Sequence, residues 1–191
     1  MRNKAVALLF LLIAVLSSVS AFGALGTEEI AFLTEGGRFS NQMLVGGFTQ
    51  TKKISGSARE LKSWGTVRIT PGYGIIWYTE KPYPSKLVVG QDYIVQQIMN
   101  REPVVMDAKD NRIFSLIAQS LESVFFGNFS AMQESFNVGF ERSGESWRML
   151  LEPSDKTMAS FIKSILISGS EGLDSLLLEE ASGDSILYEF E

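Results

Sequence analysis

The chain has 191 residues, of which 45% are hydrophobic, and its formal net charge is −5; this length suits a single domain with one sizeable core. It contains no cysteine and no histidine, which excludes disulfides, thiolate zinc sites, cysteine nucleophiles and histidine-based catalytic triads. The negative charge disfavours nucleic acid as a partner, and no metal or other cofactor is expected.

The beginning of the chain is typical of a secretory signal peptide. Arg2 and Lys4 form a short basic start, and the apolar run AVALLFLLIAVLSSV and several small residues follow. A retained membrane anchor is the alternative, but it needs about 20 apolar residues and this run is shorter. Export with cleavage is therefore predicted, and the loss of the two cations takes the formal charge from −5 to −7.

Two positions satisfy the small-residue requirement for cleavage, after Ala21 and after Gly23. We assign residues 1–23 to the signal peptide and residues 24–191 to one domain. No cysteine follows the apolar run, so acylation of the protein itself at that point is excluded. The exported protein is expected to be soluble.

The first predicted element is a short helix beginning near Thr27. Ile30, Phe32 and Leu33 can share one helical face, and two consecutive glycines after Glu35 then end the helix. From Phe48 onward, short runs rich in Val, Ile, Thr, Trp and Tyr are interrupted by turn residues about every 8–12 residues. That spacing predicts an antiparallel sheet.

Within this sheet, Val67 and Ile69 should point to one face while Thr66 and Arg68 point to the other. The strand predicted at 74–80 should return antiparallel to them. That strand is unusual, because bulky residues occupy both faces.

The strand at 74–80 places Ile75 and Trp77 on one face and Ile76 and Tyr78 on the other. A strand with one solvated face would alternate apolar and polar residues, so both faces are expected to be dry.

The segment after this strand predicts a turn, a strand and a hairpin. Pro82 and Pro84 cannot donate ladder hydrogen bonds and are expected at an edge or in a loop. The strand KLVV follows, and Gly90–Gln91 predicts a two-residue hairpin loop in which the glycine supplies a positive φ. DYIVQQI should then pair back against KLVV.

The strongest helical pattern lies between Asp107 and Gly127. Asp107 or Asp110 can cap this helix and Gly127 can end it. Its apolar residues recur at steps of three and four: Ile113, Phe114, Ile117, Leu121, Val124 and Phe125. Five strands are predicted after it: ESFNVGFER, SWRMLLEP, SFIKSILIS, LDSLLLEEAS and DSILYEFE, with a turn at Ser182–Gly183 before the last.

Several stretches together resemble the family of periplasmic lipoprotein carriers, LolA: FTQTKKI, GTVRITPGYGIIWYTEKPYPSKLVVGQDYIV, FIKSILIS and LLLEEASGDSILYEFE. Phe48 and Gln50 are similar to the F-x-Q of the family's first strand, and Trp77 with Pro82 to its W…P strand and turn. The resemblance implies an α+β fold, an incomplete and half-open antiparallel β-barrel with helices covering its concave face. It also implies a protein that binds in a hydrophobic cavity and does not catalyse.

The activity implied by the resemblance is shielding the acyl chains of lipoproteins during transfer from the inner to the outer membrane. Candidate cavity residues are Ile75, Trp77, Leu87 and Val89 on the sheet and Phe114, Ile117 and Leu121 on the covering helix. Each of them could instead be ordinary core, because a helix packed on a curved sheet needs the same residues. Periodicity alone does not separate a filled barrel from a hollow one.

A possible gate is the segment RITPG, with Arg68 and Pro71. Many members of the family have a basic residue just before the strand end at this place, and here the nearest cation lies further inside the strand. A protein of the same fold that binds another lipid, such as a glycolipid or a polyene or polyketide-like lipid, is therefore the alternative. The implied partners are an acylated lipoprotein or other lipid, an inner-membrane donor and an outer-membrane acceptor, with the protein a monomer in the periplasm.

An enzyme is disfavoured by the residues themselves. Without histidine or cysteine, catalysis would depend on carboxylates. The clustered acids, Glu28–Glu29 and Glu179–Glu180, lie in contexts typical of solvated surface charge.

Overall fold

The computed structural model describes residues 22–35, 44–70, 72–90, 92–107 and 126–191. Most of the predicted signal peptide and nearly all of the helix predicted after Asp107 lie outside the described residues. No helix in the described part of the chain combines the length and apolar character needed to cross a membrane.

The described chain forms twelve strands and three short helices. The strands are β1 Gly23–Ala24, β2 Leu44–Lys53, β3 Glu60–Thr70, β4 Gly74–Lys81, β5 Ser85–Val89, β6 Tyr93–Ile98, β7 Val104–Asp107, β8 Phe136–Ser143, β9 Ser146–Pro153, β10 Ile162–Gly169, β11 Leu173–Glu180 and β12 Ser185–Phe190. The helices are α1 Thr27–Glu35, α2 Phe129–Ser135 and α3 Lys156–Ala159.

All twelve strands belong to one antiparallel sheet with the order β1-β8-β9-β10-β11-β12-β2-β3-β4-β5-β6-β7. Within the described residues, β1 and β7 stand at the two ends of this order and are not paired with each other, so the sheet is open. The predicted open antiparallel architecture is confirmed at this level. The predicted covering of its concave face by helices stays a prediction.

The alternation expected in β3 and β4 is present, but only one face is dry. Val67 and Ile69 are buried opposite Trp77 and Ile75. On the other face Ile76 is half-buried and Tyr78 is exposed. The expectation that both faces of β4 are dry is therefore wrong, since the outer face of this strand meets solvent.

The turn between β5 and β6 is shifted from its predicted position. Val89 pairs with Ile94, and the backbone N–H of Gly90 donates to the carbonyl of Tyr93 at 2.8 Å. Gly90 therefore pairs with Tyr93 instead of occupying the loop, and its φ is not among the positive values. The glycine is needed for space, because a Cβ at this position would approach the Tyr93 ring to 2.7 Å.

Four elements were not predicted: β1, β7, α2 and α3. The two helices have only seven and four residues, too few for an apolar period to be visible. Side-chain caps define them instead: Asn128 Oδ1 accepts from the backbone N–H of Ala131 at 3.2 Å, and Asp155 Oδ1 accepts from that of Thr157 at 2.8 Å. Asp107, a predicted helix cap, is the last residue of β7.

The core lies on the inner face of the sheet and includes residues from the helices. Leu33 of α1 and Phe129 and Met132 of α2 are buried in the same cluster as the inward side chains of the strands. The helix predicted from Thr27 is confirmed as α1. Gly23, assigned above to the signal peptide, pairs in β1 with Phe140 of β8.

Candidate functional site

The register of β4 and β5 brings the four predicted sheet residues together on the inner face. Ile75 lies opposite Val89 and Trp77 lies opposite Leu87. Ile75, Trp77 and Val89 are buried, whereas Leu87 is half-buried at the margin of the core. Leu87 is thus the sheet candidate with the most surface left for a guest.

The other candidates are placed differently. Phe114, Ile117, Leu121 and Pro71 lie outside the described residues. Arg68 pairs with Ile76 and is exposed on the outer face, so its side chain does not share the face of Trp77.

An aromatic cluster on the inner face was not predicted as part of the site. The ring centroid of Tyr188 lies 6.0 Å from that of Trp77 and 5.7 Å from that of Phe48. Phe190 stacks on Tyr188 with a centroid distance of 6.4 Å. These four residues are called the aromatic cluster below.

The contact between Trp77 and Tyr188 shows how strongly the sheet is curled. They belong to β4 and β12, which are separated in the sheet by β2 and β3. In a flat sheet, strands three positions apart are about 14 Å apart, since neighbouring strands are spaced by about 4.8 Å. The rings meet because the inner face is concave and its side chains converge.

Gly65 contributes to this curvature. It lies on the inner face of β3 between Phe48 of β2 and Thr79 of β4, and the register with β4 shifts between Trp64 and Gly65. Such a bulge bends and twists a strand. A Cβ at Gly65 would collide with the backbone carbonyl of Tyr78, so the close approach requires glycine.

The concave face opens at one end of the sheet. The end that carries the β2–β3, β4–β5 and β6–β7 connections is called the hairpin end. There the inward-facing Leu61, Ile98 and Val104 are 53%, 43% and 57% exposed, in contrast to the buried centre. Lys52 of the same face forms ion pairs with Glu180 at 3.3 Å and Asp184 at 3.7 Å. The open end therefore combines apolar side chains with a charged margin.

The aromatic cluster itself carries no charge at neutral pH. Burial of the phenol raises the pKa of Tyr188 from 10.0 to about 12, because the ionised form loses its hydration. The cluster is thus a wall of aromatic rings with one hydroxyl, a surface suited to hydrocarbon.

Tyr188 leads to a prediction for alkaline solution. Its folded-state pKa lies above its unfolded value, so its contribution to stability is complete below pH 10 and is lost as the pH rises towards about 12. The shift corresponds to roughly 2–3 kcal/mol. Urea unfolding at pH 8 and pH 11 should show a larger loss of unfolding free energy for the wild type than for Tyr188→Phe. Equal losses in the two proteins would contradict the burial of this hydroxyl.

Comparison with known proteins gave matches only among solved structures: no family profile and no curated protein matches the sequence. The chain is similar to a LolA superfamily protein from Nitrosomonas europaea, with 10% identity, a TM-score of 0.45 and coverage of 85% of this chain and 89% of that one. It is also similar to an outer membrane lipoprotein-sorting protein domain from Vibrio parahaemolyticus, with 7% identity, a TM-score of 0.44 and the same coverage. A DUF1329 family protein from Desulfovibrio piger matches with 4% identity, a TM-score of 0.43 and the same coverage.

The chain is similar to LolA superfamily structures. The resemblance inferred from the sequence is thus found again among solved structures. At these identities the likeness concerns the fold alone.

The aromatic cluster was missed for a definable reason. The alternation in DSILYEFE already places Tyr188 and Phe190 on one face of a strand. The pairing of that strand with β2, where Phe190 meets Phe48 and Tyr188 meets Gln50, joins residues more than 130 positions apart. No local pattern in the sequence specifies such a pairing.

Proposed function

We propose that the protein is a periplasmic carrier that shields the acyl chains of lipoproteins in a hydrophobic cavity while they pass from the inner to the outer membrane. The observation that supports this function is the convergence of Trp77 and Tyr188 across the concave inner face, at 6.0 Å. A curled sheet with an uncharged aromatic lining and an accessible apolar margin provides an apolar surface that can shield an acyl chain from water. The protein binds its guest and catalyses no reaction.

The free-energy cost of exposing an acyl chain to water sets how much apolar surface the cavity must provide. Exposing an acyl chain to water costs about 0.8 kcal/mol per CH₂, so a dozen methylenes amount to roughly 10 kcal/mol. Aromatic and branched side chains provide a dry surface of similar size, and a tail has no hydrogen-bonding groups to satisfy. The half-buried Leu87, Tyr188 and Phe190 are the inward residues best placed for direct contact.

The remaining predicted residues have roles within this proposal. Ile75, Trp77 and Val89 support the cavity wall, and the segment with Phe114, Ile117 and Leu121 covers it. Arg68 and Pro71 belong to the gate. Export by a cleaved signal peptide, a monomeric carrier, an inner-membrane donor and an outer-membrane acceptor complete the proposed pathway.

Native mass spectrometry tests the proposed function. Protein purified from the periplasm of an expressing bacterium should carry additional mass that matches an acyl lipid or a lipoprotein. Dissociation in the gas phase should release this guest and identify it, which also distinguishes lipoprotein from glycolipid or polyketide-like lipid. Protein with only its own mass, and with no uptake of added palmitate, would overturn the carrier function.

A further inference from the structure

Exposed apolar side chains are concentrated at the hairpin end. Eight of the thirteen large hydrophobic residues exposed in the described chain lie there. Three of them, Ile54, Tyr83 and Met99, lie in the three successive connections β2–β3, β4–β5 and β6–β7. These three connections are called the tip surface. Because alternate connections of an antiparallel meander share one end, the three apolar side chains project from the same side of the molecule.

Cations accompany these apolar residues. Arg59 lies in the first connection, Lys81 is the last residue of β4 just before the second, and Arg101 lies in the third. Across residues 53–62, 80–86 and 98–102, six cations stand against three acids: Lys53, Arg59, Lys62, Lys81, Lys86 and Arg101 against Glu60, Glu80 and Glu102. The tip surface is therefore locally positive, although the chain as a whole has a formal charge of −5.

The opposite end of the sheet has the opposite character. Its connections β3–β4, β5–β6, β8–β9 and β10–β11 contain, among their described residues, the acids Asp92, Glu145 and Glu171 and no lysine or arginine. The β9–β10 and β11–β12 connections, which share the hairpin end, contain Asp155, Lys156 and Asp184, so the excess of positive charge is confined to the tip surface. A negatively charged surface would attract the tip surface and repel the opposite end.

We propose that the tip surface docks on a bilayer that contains anionic phospholipid. Side chains such as those of Ile54, Tyr83 and Met99 fit the boundary between headgroups and acyl chains. Arg59, Lys81 and Arg101 would meet lipid phosphates, and each cation near an anionic surface strengthens binding about fivefold. Screening restricts the repulsion of the distant acids, since the Debye length is about 8 Å at physiological salt.

The tip surface lies next to the open margin of the proposed lipid cavity. The path of the lipid along this margin rests on the proposed carrier function. The inward-facing Leu61, Ile98 and Val104, which open the concave face, lie at the same end. A tail leaving the bilayer beneath the tip surface would pass along these residues towards the aromatic cluster without crossing water. The open margin of the cavity and the membrane would then face each other.

Vesicle flotation tests the docking. The probes are vesicles of equal parts phosphatidylglycerol and phosphatidylcholine, and vesicles of phosphatidylcholine alone. Wild-type protein is expected to float with the first at low salt and to bind them at least tenfold more weakly at 0.5 M salt. The tip variant Ile54→Ser/Tyr83→Ser/Met99→Ser and the charge variant Arg59→Gln/Lys81→Gln/Arg101→Gln should each bind more than tenfold more weakly than the wild type. The control Val45→Ser/Tyr73→Ser removes exposed apolar residues of the opposite end and should bind like the wild type.

Absence of flotation by the wild type, equal binding to both vesicles, or wild-type binding by the tip variant would each overturn the proposal. Palmitate titration of the same variants separates docking from carriage. A protein that docks but takes up no palmitate has lost the proposed function and kept the docking surface. A tip variant that takes up palmitate normally but no longer floats has lost docking alone.

Discussion

Leu87→Trp is expected to weaken acyl-chain binding about a hundredfold while the protein remains folded. Leu87 faces inward beside Trp77 and is only half-buried. An indole ring at this position would therefore occupy space that the acyl chain would otherwise fill. An indole displaces about four methylenes of a tail, which corresponds to about 3 kcal/mol or roughly a hundredfold in Kd. Calorimetric titration with palmitate measures the change in Kd.

The adjacent residue provides the matched control. Val88 belongs to the same strand but lies on the outer face opposite Ile76, so Val88→Trp should bind palmitate like the wild type. If Leu87 instead packs in a filled core, Leu87→Trp would overpack it at a cost of about 1–3 kcal/mol. Leu87→Ala distinguishes these cases: a cavity-wall residue is truncated at small cost, whereas a core leucine costs about 2–5 kcal/mol. Unchanged palmitate affinity of Leu87→Trp would contradict a cavity at this position.

Trp77 is less suitable for this test, although it is central to the site. Its side chain is buried in the core and contacts Tyr188. A charged replacement such as Trp77→Asp would bury an unpaired carboxylate and unfold the protein. Loss of binding by that variant would therefore not show whether Trp77 contacts the acyl chain or only stabilises the fold.

Gly169→Ala is expected to produce a large loss of stability from a single methyl group. Gly169 is buried at the end of β10, opposite Trp147 of β9. A Cβ there would collide with the backbone carbonyl of Gly172 and approach Cε2 of Trp147 to 2.7 Å. Neither the backbone nor the buried indole can move away easily, so a loss of about 3 kcal/mol or more in unfolding free energy is expected. Thermal unfolding should show a decrease of about 6–12 °C in Tm.

Gly172→Ala is the control for this prediction. A Cβ at Gly172 has no neighbour within 4 Å, and no positive φ is recorded for this residue. The substitution should change the unfolding free energy by less than about 1 kcal/mol, and restriction of the unfolded chain favours a small gain. A Tm of Gly169→Ala within one degree of the Gly172→Ala value would contradict the close packing of β10 on Trp147.

Most strands of this fold are predictable from the sequence because their signals are local. Alternation identifies β3 and β4 through Val67, Ile69, Ile75 and Trp77, and proline marks the interruption before β5. The short helices α2 and α3 are not predicted, because one or two helical turns are too short to show an apolar periodicity. The turn at Gly90 was misplaced by one residue because glycine suggested a positive φ, whereas its actual role is to leave room for the ring of Tyr93.

The candidate site was predictable only in part, for the same reason. Ile75, Trp77, Leu87 and Val89 come from two strands joined by a short turn, and their common face follows from local register. Phe48, Tyr188 and Phe190 reach them through the pairing of β2 with β12 and through curvature of the sheet. Both are long-range properties. The concentration of apolar and cationic residues at the hairpin end likewise becomes visible only when the order of the strands is known.

The pairing of β12 with β2 also bears on when the protein can fold. These two strands lie next to each other in the middle of the sheet, yet about 130 residues of chain separate them. The backbone of Glu191 completes this seam by exchanging hydrogen bonds of 3.0 and 3.2 Å with Gly47. A nascent polypeptide still attached to the ribosome, with residues 185–191 unsynthesised, lacks the seam that joins its two halves. Joining the two halves of the sheet therefore requires residues 185–190 to have been synthesised, because they supply the strand that pairs with β2.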